Sequence, residues 1–145
     1  MNGLAQVSLG AMAPKAVEEI QRVRNRISEL PGQMDLRIES HLHAGVYSRT
    51  VFIPKGVLAF GTLIRVPTQL IISGSVVIND GLTRRSYSGF HVLEGAAGRI
   101  QVAYAVEDTY VTMLFATDAK TVREAEDQFT DEAEMLQTRR KKCRE

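Results

Sequence analysis

Between residues 36 and 116 the sequence is a succession of short segments rich in Val, Ile, Thr, Tyr and Phe, each closed by turn chemistry. No helical period interrupts them, and that constrains the fold more than any other feature. The strand candidates are 36–43, 46–53, 57–66, 69–78, 83–87, 90–93, 99–106 and 109–116. Pro54-Lys55-Gly56 reads as a turn, and Asn79-Asp80-Gly81 carries the Asp-Gly signal of a tight hairpin. Glu94-Gly95-Ala96-Ala97-Gly98 is a small-residue loop, and Glu107-Asp108 closes another hairpin. Seven or eight strands at this spacing predict a mainly β fold: a sandwich, a jelly roll or a small barrel. The absence of interleaved helices argues against a parallel βαβ sheet.

Helical periodicity appears only at the two ends. Over 14–30, Pro14 suits a first helical turn. Val17, Ile20, Val23, Ile27 and Leu30 form one narrow apolar stripe, with Glu18, Glu19, Arg22, Arg24, Arg26 and Glu29 on the other face. Glu18 and Arg22 stand in the favourable i,i+4 order. Pro31-Gly32 ends the helix. A second helix is predicted over 118–138, with Thr121 and Glu124 as a capping box. Its stripe is Val122, Ala125, Phe129, Ala133 and Leu136. Such stripes can lie on their own domain or against a copy. The second use makes Val17, Ile20, Val23, Ile27, Val122, Phe129 and Leu136 the candidate oligomer seam. The expected organisation is an N-terminal arm and helix (1–35), a β domain (36–117) and a C-terminal helix with a basic tail (118–145).

Charge and composition narrow the partners. The 145 residues are 44% hydrophobic and 24% charged, with a net charge of +1. That excludes a mostly disordered chain and any global field toward nucleic acid or membrane. No apolar run approaches the roughly 18 residues of a membrane span. Residues 1–13 lack the basic and apolar blocks of a secretion signal. The single cysteine, Cys143, permits neither an internal disulfide nor a Cys-based zinc site. The basic run 139–144 has no interleaved aromatics, so no specific nucleic-acid partner is expected.

Catalytic motifs are scarce. No Gly-x-Ser-x-Gly elbow, Walker loop or dinucleotide fingerprint is present. Arg84 and Arg85 alternate across a strand and make no single anion fork. The best metal candidates are Glu39, His41 and His43, which alternate onto one strand face, with His91 able to join from another strand. The competing reading is that these side chains are simply solvated.

The stretch His41-Leu42-His43-Ala44-Gly45-Val46-Tyr47-Ser48-Arg49, followed by Ile53-Pro54-Lys55-Gly56, resembles the small cupin-like proteins of tailed bacteriophages and prophages. So do Leu30-Pro31, Ile71-Ile72-Ser73-Gly74, the Asp80-Gly81 turn and Tyr104-Ala105-Val106-Glu107-Asp108-Thr109. The resemblance spans roughly residues 27–118. It implies a cupin-type double-stranded jelly roll flanked by the two helices. The family's metal-binding histidine positions align with Ile64, Thr68 and Gln101, none of them histidine, so no cofactor is expected.

Three functions follow from this. The first is a non-catalytic structural or adaptor protein of a tailed-phage particle, at a tail, fibre or capsid attachment. It would be a homo-oligomer, a trimer by analogy, with residues 1–13 as an arm that orders on a partner. Its partners would be itself and other phage structural proteins, in the virion or the host cytoplasm. The second is a small-molecule-binding cupin acting in the host cell, with Arg65, Gln101 and Tyr104 at a cavity mouth. The third is a metal-dependent cupin enzyme built on Glu39, His41 and His43.

Overall fold

A computed structural model describes residues 8–79 and 83–139. A short strand β1 (Ser8–Leu9) and helix α1 (Pro14–Ser28) precede seven strands: β2 (Arg37–His43), β3 (Val46–Ile53), β4 (Leu58–Ile64), β5 (Thr68–Asn79), β6 (Arg84–Gly95), β7 (Arg99–Ala105) and β8 (Thr109–Ala116). Helix α2 (Val122–Phe129) and a 3-10 turn (Ala133–Met135) follow. The Asp80-Gly81 turn, residues 1–7 and the tail 140–145 with Cys143 lie outside the described residues.

The strands build the expected jelly roll. The long hairpin β5–β6 runs in register from Thr68 opposite Gly95 to Asn79 opposite Arg84. The first half of β5 pairs with β8, which pairs with β3 and then β2. Its second half pairs with β7, which pairs with β4. One hairpin therefore belongs to a large sheet (β6-β5-β8-β3-β2) at one end and to a small sheet (β6-β5-β7-β4) at the other. The crease falls at Gly74 opposite Gly89, both at positive φ (142° and 92°). A Cβ on Gly74 would stand 2.6 Å from the Asp108 carbonyl oxygen and 2.7 Å from Thr109 Cα. Only glycine lets the β7–β8 corner seat here. Thr109, wholly buried, holds that corner by accepting from Ser75 N–H at 3.0 Å.

Alternation sorts the side chains. Tyr47, Leu70, Ile72, Val76, Leu93, Ala105, Val111, Met113 and Phe115 point inward and form one contiguous core. β6 is a single strand where two were expected at 83–87 and 90–93, because Gly89 bends the chain without breaking its ladder. β1 is a further difference. It pairs in parallel with Glu94 and Gly95, so residues 8 and 9 of the expected free arm belong to the chain's own sheet.

The ends fold inward. α1 packs against β4 and β7 on the outer side of the small sheet. The second helix, expected to run unbroken over 118–138, stops at Thr130, whose backbone is extended. Arg65 explains the stop. Its backbone N–H donates to Phe129 O (2.8 Å), and its guanidinium donates to Gln128 O (3.0 Å) and Asp127 O (2.5 Å) and pairs with Asp131. These contacts take up the carbonyls a helix end leaves open and place a cation at the negative end of its dipole. Thr121 Oγ1 accepts from Glu124 N–H (3.1 Å), the expected N-cap. Phe129 then closes one end of the barrel against Tyr47 (5.9 Å) and Phe115 (6.2 Å).

Candidate functional site

Glu39, His41 and His43 do share one face of β2, which is the exposed outer face of an edge strand. Alternate residues on a strand lie about 6.6 Å apart, so the three extend over roughly 13 Å in a line. Among the described residues, no three His, Cys, Asp or Glu side chains come together to hold a metal ion. His91 sits on β6, edge-on to the Tyr87 ring at 5.4 Å, with Nε2 2.9 Å from Ser88 O. The positions aligned with cupin ligands do not fit a metal either. Ile64 is a buried apolar side chain, Thr68 Oγ1 already accepts from Arg99 Nη2 at 2.5 Å, and Gln101 is an amide.

Arg65, Gln101 and Tyr104 are not brought together. Arg65 caps α2, as described above. Tyr104 faces outward on β7 between Leu58 and Val77. Gln101 lines a cavity of about 20 Å³ together with Leu9, Gly10, Met12, Ile78, Asn79, Arg99 and Ile100. Small-molecule sites run to roughly 300–1,000 Å³.

The seam residues are mostly spent within the chain. Phe129 and Leu136 are core residues, and Val122 packs against the same core. On α1, Val17 is buried, Ile20 and Ile27 are half-buried, and only Val23 is exposed. The buried face of α1 includes Arg24, which the apolar stripe had assigned to the solvent side. Its guanidinium donates to both Glu132 carboxylate oxygens (3.0 and 2.6 Å) and to Gly61 O (3.0 Å). Glu132 also accepts from Leu63 N–H (2.9 Å) and Gln21 Nε2 (3.2 Å). The Arg24 hydrogen bond holds the Glu132 carboxyl below the usual range. Arg22 pairs with Glu19 at 2.5 Å rather than with Glu18. Arg139, read as the start of the tail, is buried and donates to Glu126 (2.8 Å), Asp127 (2.9 Å) and Glu134 (2.7 Å).

Among the described residues, one open surface with several exposed apolar side chains is the outer face of the large sheet. Register places Phe90, Ser73, Tyr110, Phe52 and Arg37 in one row across β6, β5, β8, β3 and β2. The neighbouring row is Val92, Ile71, Thr112, Thr50 and Glu39. Phe90 is 70% exposed, Val92 51% and Tyr110 43%. The rings of Phe52 and Tyr110 lie 5.0 Å apart, and Arg37 lies over both (5.2 and 5.7 Å) while donating to Tyr110 Oη at 2.9 Å. Thr50 and Thr112 share a hydrogen bond at 2.7 Å. Sequence reasoning missed this face because it is assembled from five strands; only register reveals the rows.

Comparison with known proteins adds fold relatives. No family model and no curated protein matches the chain. Similar solved structures include a cupin superfamily protein from Desulfitobacterium hafniense, at 14% identity over 63% of this chain and 86% of that one, with a TM-score of 0.49. An RmlC-like cupin with a double-stranded β-helix from Methanocaldococcus jannaschii shares 11% identity over 61% of this chain and 85% of that one, also at 0.49. The cupin domain of Cnp3 from Schizosaccharomyces pombe shares 15% identity over 63% and 72%, at 0.48. The jelly-roll fold of this chain stands on its own strand order and register. Nothing about ligand, activity or partner follows from these similarities. Among the described residues, no helix is long and apolar enough to cross a membrane.

Proposed function

We propose that this chain is a non-catalytic structural or adaptor protein that acts as a homo-oligomer, joined through the outer face of its large sheet. One observation carries this: Phe90, Val92, Tyr110, Ile71 and Phe52 stand together on a sheet face that no described element covers. An apolar patch of this kind on a soluble surface marks an interaction site. The occupant that fits is a second copy. A two-fold axis parallel to the strands lays β6 of one copy over β2 of the other, since β2 is one margin of the face and β6, flanked only by the two-residue β1 at Glu94 and Gly95, lies at the other. Phe90 then meets Arg37, a cation over a ring, and Glu94 meets the His41 row. Sheets stacked this way pack about 10 Å apart.

The sequence resemblance to phage cupin-like proteins is the support for proposing that this association serves a virion, where it would join one component to another. Two experiments test the reading. Light scattering coupled to size exclusion should give at least two copies at micromolar concentration. A monomer would overturn the self-association. Peptides of the chain should occur in purified particles at stoichiometric abundance, and their absence would remove the virion role. A two-fold face closes a dimer. A mass of three copies would move the contact to another surface. The metabolite-binding and metal-enzyme readings have less support, because the barrel is filled by its own side chains and by Phe129.

A further inference from the structure

We propose that the free edge of β2 pairs, antiparallel and in one register, with β2 of a second copy. β2 ends the strand order of the large sheet, and among the described residues no strand lies beyond it. Its hydrogen-bonding phase follows from its two ends. Leu36, just before the strand, turns its backbone away from β3. Its N–H donates to Gln137 Oε1 at 2.7 Å, and its carbonyl accepts from Gln137 Nε2 at 2.5 Å. At the other end, Ala44 and Gly45 are both at positive φ (54° and 73°) and make a two-residue turn closed by His43 and Val46. The closing pair of such a hairpin exchanges hydrogen bonds, and along the ladder bonded and open pairs alternate. His43, His41, Glu39 and Arg37 therefore bond to β3. Ile38, Ser40 and Leu42 turn their N–H and C=O groups outward, in phase with Leu36.

That open stretch is bounded. The Gln137 amide already occupies the edge at Leu36, and the turn ends it at Ala44. Only one antiparallel register uses every open residue: Ser40 faces Ser40 of the second copy, and Ile38 faces Leu42 in both directions. Each of these pairs exchanges two backbone hydrogen bonds. The side chains agree with that register. Glu39 falls opposite His41 of the second copy, twice by symmetry, in the closely spaced pairs between the bonded ones, so an imidazole N–H meets a carboxylate. Arg37 falls opposite His43, but its guanidinium is drawn over the rings of Phe52 and Tyr110 and donates to Tyr110 Oη. Ile38 and Leu42 meet on the inner side, where Leu42 already packs against the core. A register shifted by two residues loses one bonded pair and, in one direction, sets Glu39 against Glu39. Backbone pairing that buries little apolar surface is weak, so the edge pairs at millimolar concentration where the sheet face acts at micromolar. It adds to the face contact and does not rest on it.

The test is amide hydrogen exchange, read by NMR, in the full chain carrying Phe90→Lys and Val92→Glu, which removes the face contact. From micromolar to millimolar concentration, exchange at Ile38, Ser40 and Leu42 should slow several-fold. In a mixture of two differently isotope-labelled chains, Glu39 Hα should show an NOE to His41 Hα of the other copy. Ser40→Pro removes an outward N–H and leaves the β3 ladder its donors, a change that edge strands tolerate. It should abolish the concentration dependence. Should Ser40→Pro fail to fold, the exchange and NOE measurements without it still decide. Exchange independent of concentration would overturn the pairing; if slow throughout, it would assign the edge to the chain's own residues 140–145. NOEs of another register, or a Ser40→Pro chain that keeps the concentration dependence, would overturn it too. None of these results touches the face contact, which is read from the wild-type mass at micromolar concentration, where the edge is unpaired.

Discussion

The two outer faces of this jelly roll are treated differently. The small sheet is partly covered: α1 lies on β4 and β7, and Arg24 reaches from it to Glu132 in the C-terminal segment, while Leu58 and Tyr104 stay exposed. Among the described residues nothing covers the outer face of the large sheet, although it carries Phe90, Val92 and Tyr110. The stripe of α2 is committed to its own domain, whereas α1 buries Val17, half-buries Ile20 and Ile27 and leaves Val23 exposed. What remains for a partner is the face they leave alone.

The sharpest way to break this arrangement is at the crease dividing the two sheets. Gly74→Ala should cost on the order of 4 kcal/mol, since it combines a positive φ with a collision against Thr109 backbone. Denaturant unfolding would read it. A loss below about 1 kcal/mol would mean that the corner relaxes freely.

Next comes a matched pair of phenylalanines. Phe129, 1% exposed, should cost about 3–5 kcal/mol as Phe129→Ala. Phe90→Ala should leave monomer stability within about 0.5 kcal/mol and weaken only association. Equal losses at both positions would erase the distinction between covered and open surfaces.

The Arg24–Glu132 tie gives a pH signature. Its carboxyl pKa is lowered in the folded state, so the unfolded chain binds the proton more readily. The stabilisation is complete above the unfolded glutamate value, about 4.3. It is lost as pH falls through the folded, lower value. Glu132→Gln should cost about 1–2 kcal/mol at neutral pH and flatten the acid limb of the stability profile. An unchanged acid limb would mean that the pair does not hold α1. The smallest effect is expected at Val23→Lys on the exposed side of α1: within about 0.5 kcal/mol, with the oligomer mass unchanged.

Much of the fold was legible in the sequence because β alternation and turn residues are local signals. The strands 46–53 and 109–116 are found at the residues expected, and α1 ends two residues short of its predicted end. What was not legible depends on distant partners. Arg24 reads as a solvent residue until Glu132, far along the chain, is placed beside it. The stop at Thr130 needs Arg65 on the carbonyls of α2. The continuity of β6 needs Gly89 opposite Gly74. For the metal candidates, alternation gave their common face correctly, but among the described residues no three such side chains come together. The aromatic row across the large sheet carries no local sequence mark.

The central claim is that the bare sheet face, not the helices, joins copies of this chain. Sedimentation equilibrium of the wild type beside the Phe90→Lys, Val92→Glu double variant tests it most directly, with circular dichroism confirming that both are folded. The expected result is an oligomer for the wild type and a folded monomer for the variant. A variant that keeps the wild-type mass would contradict the claim and return the search to another surface.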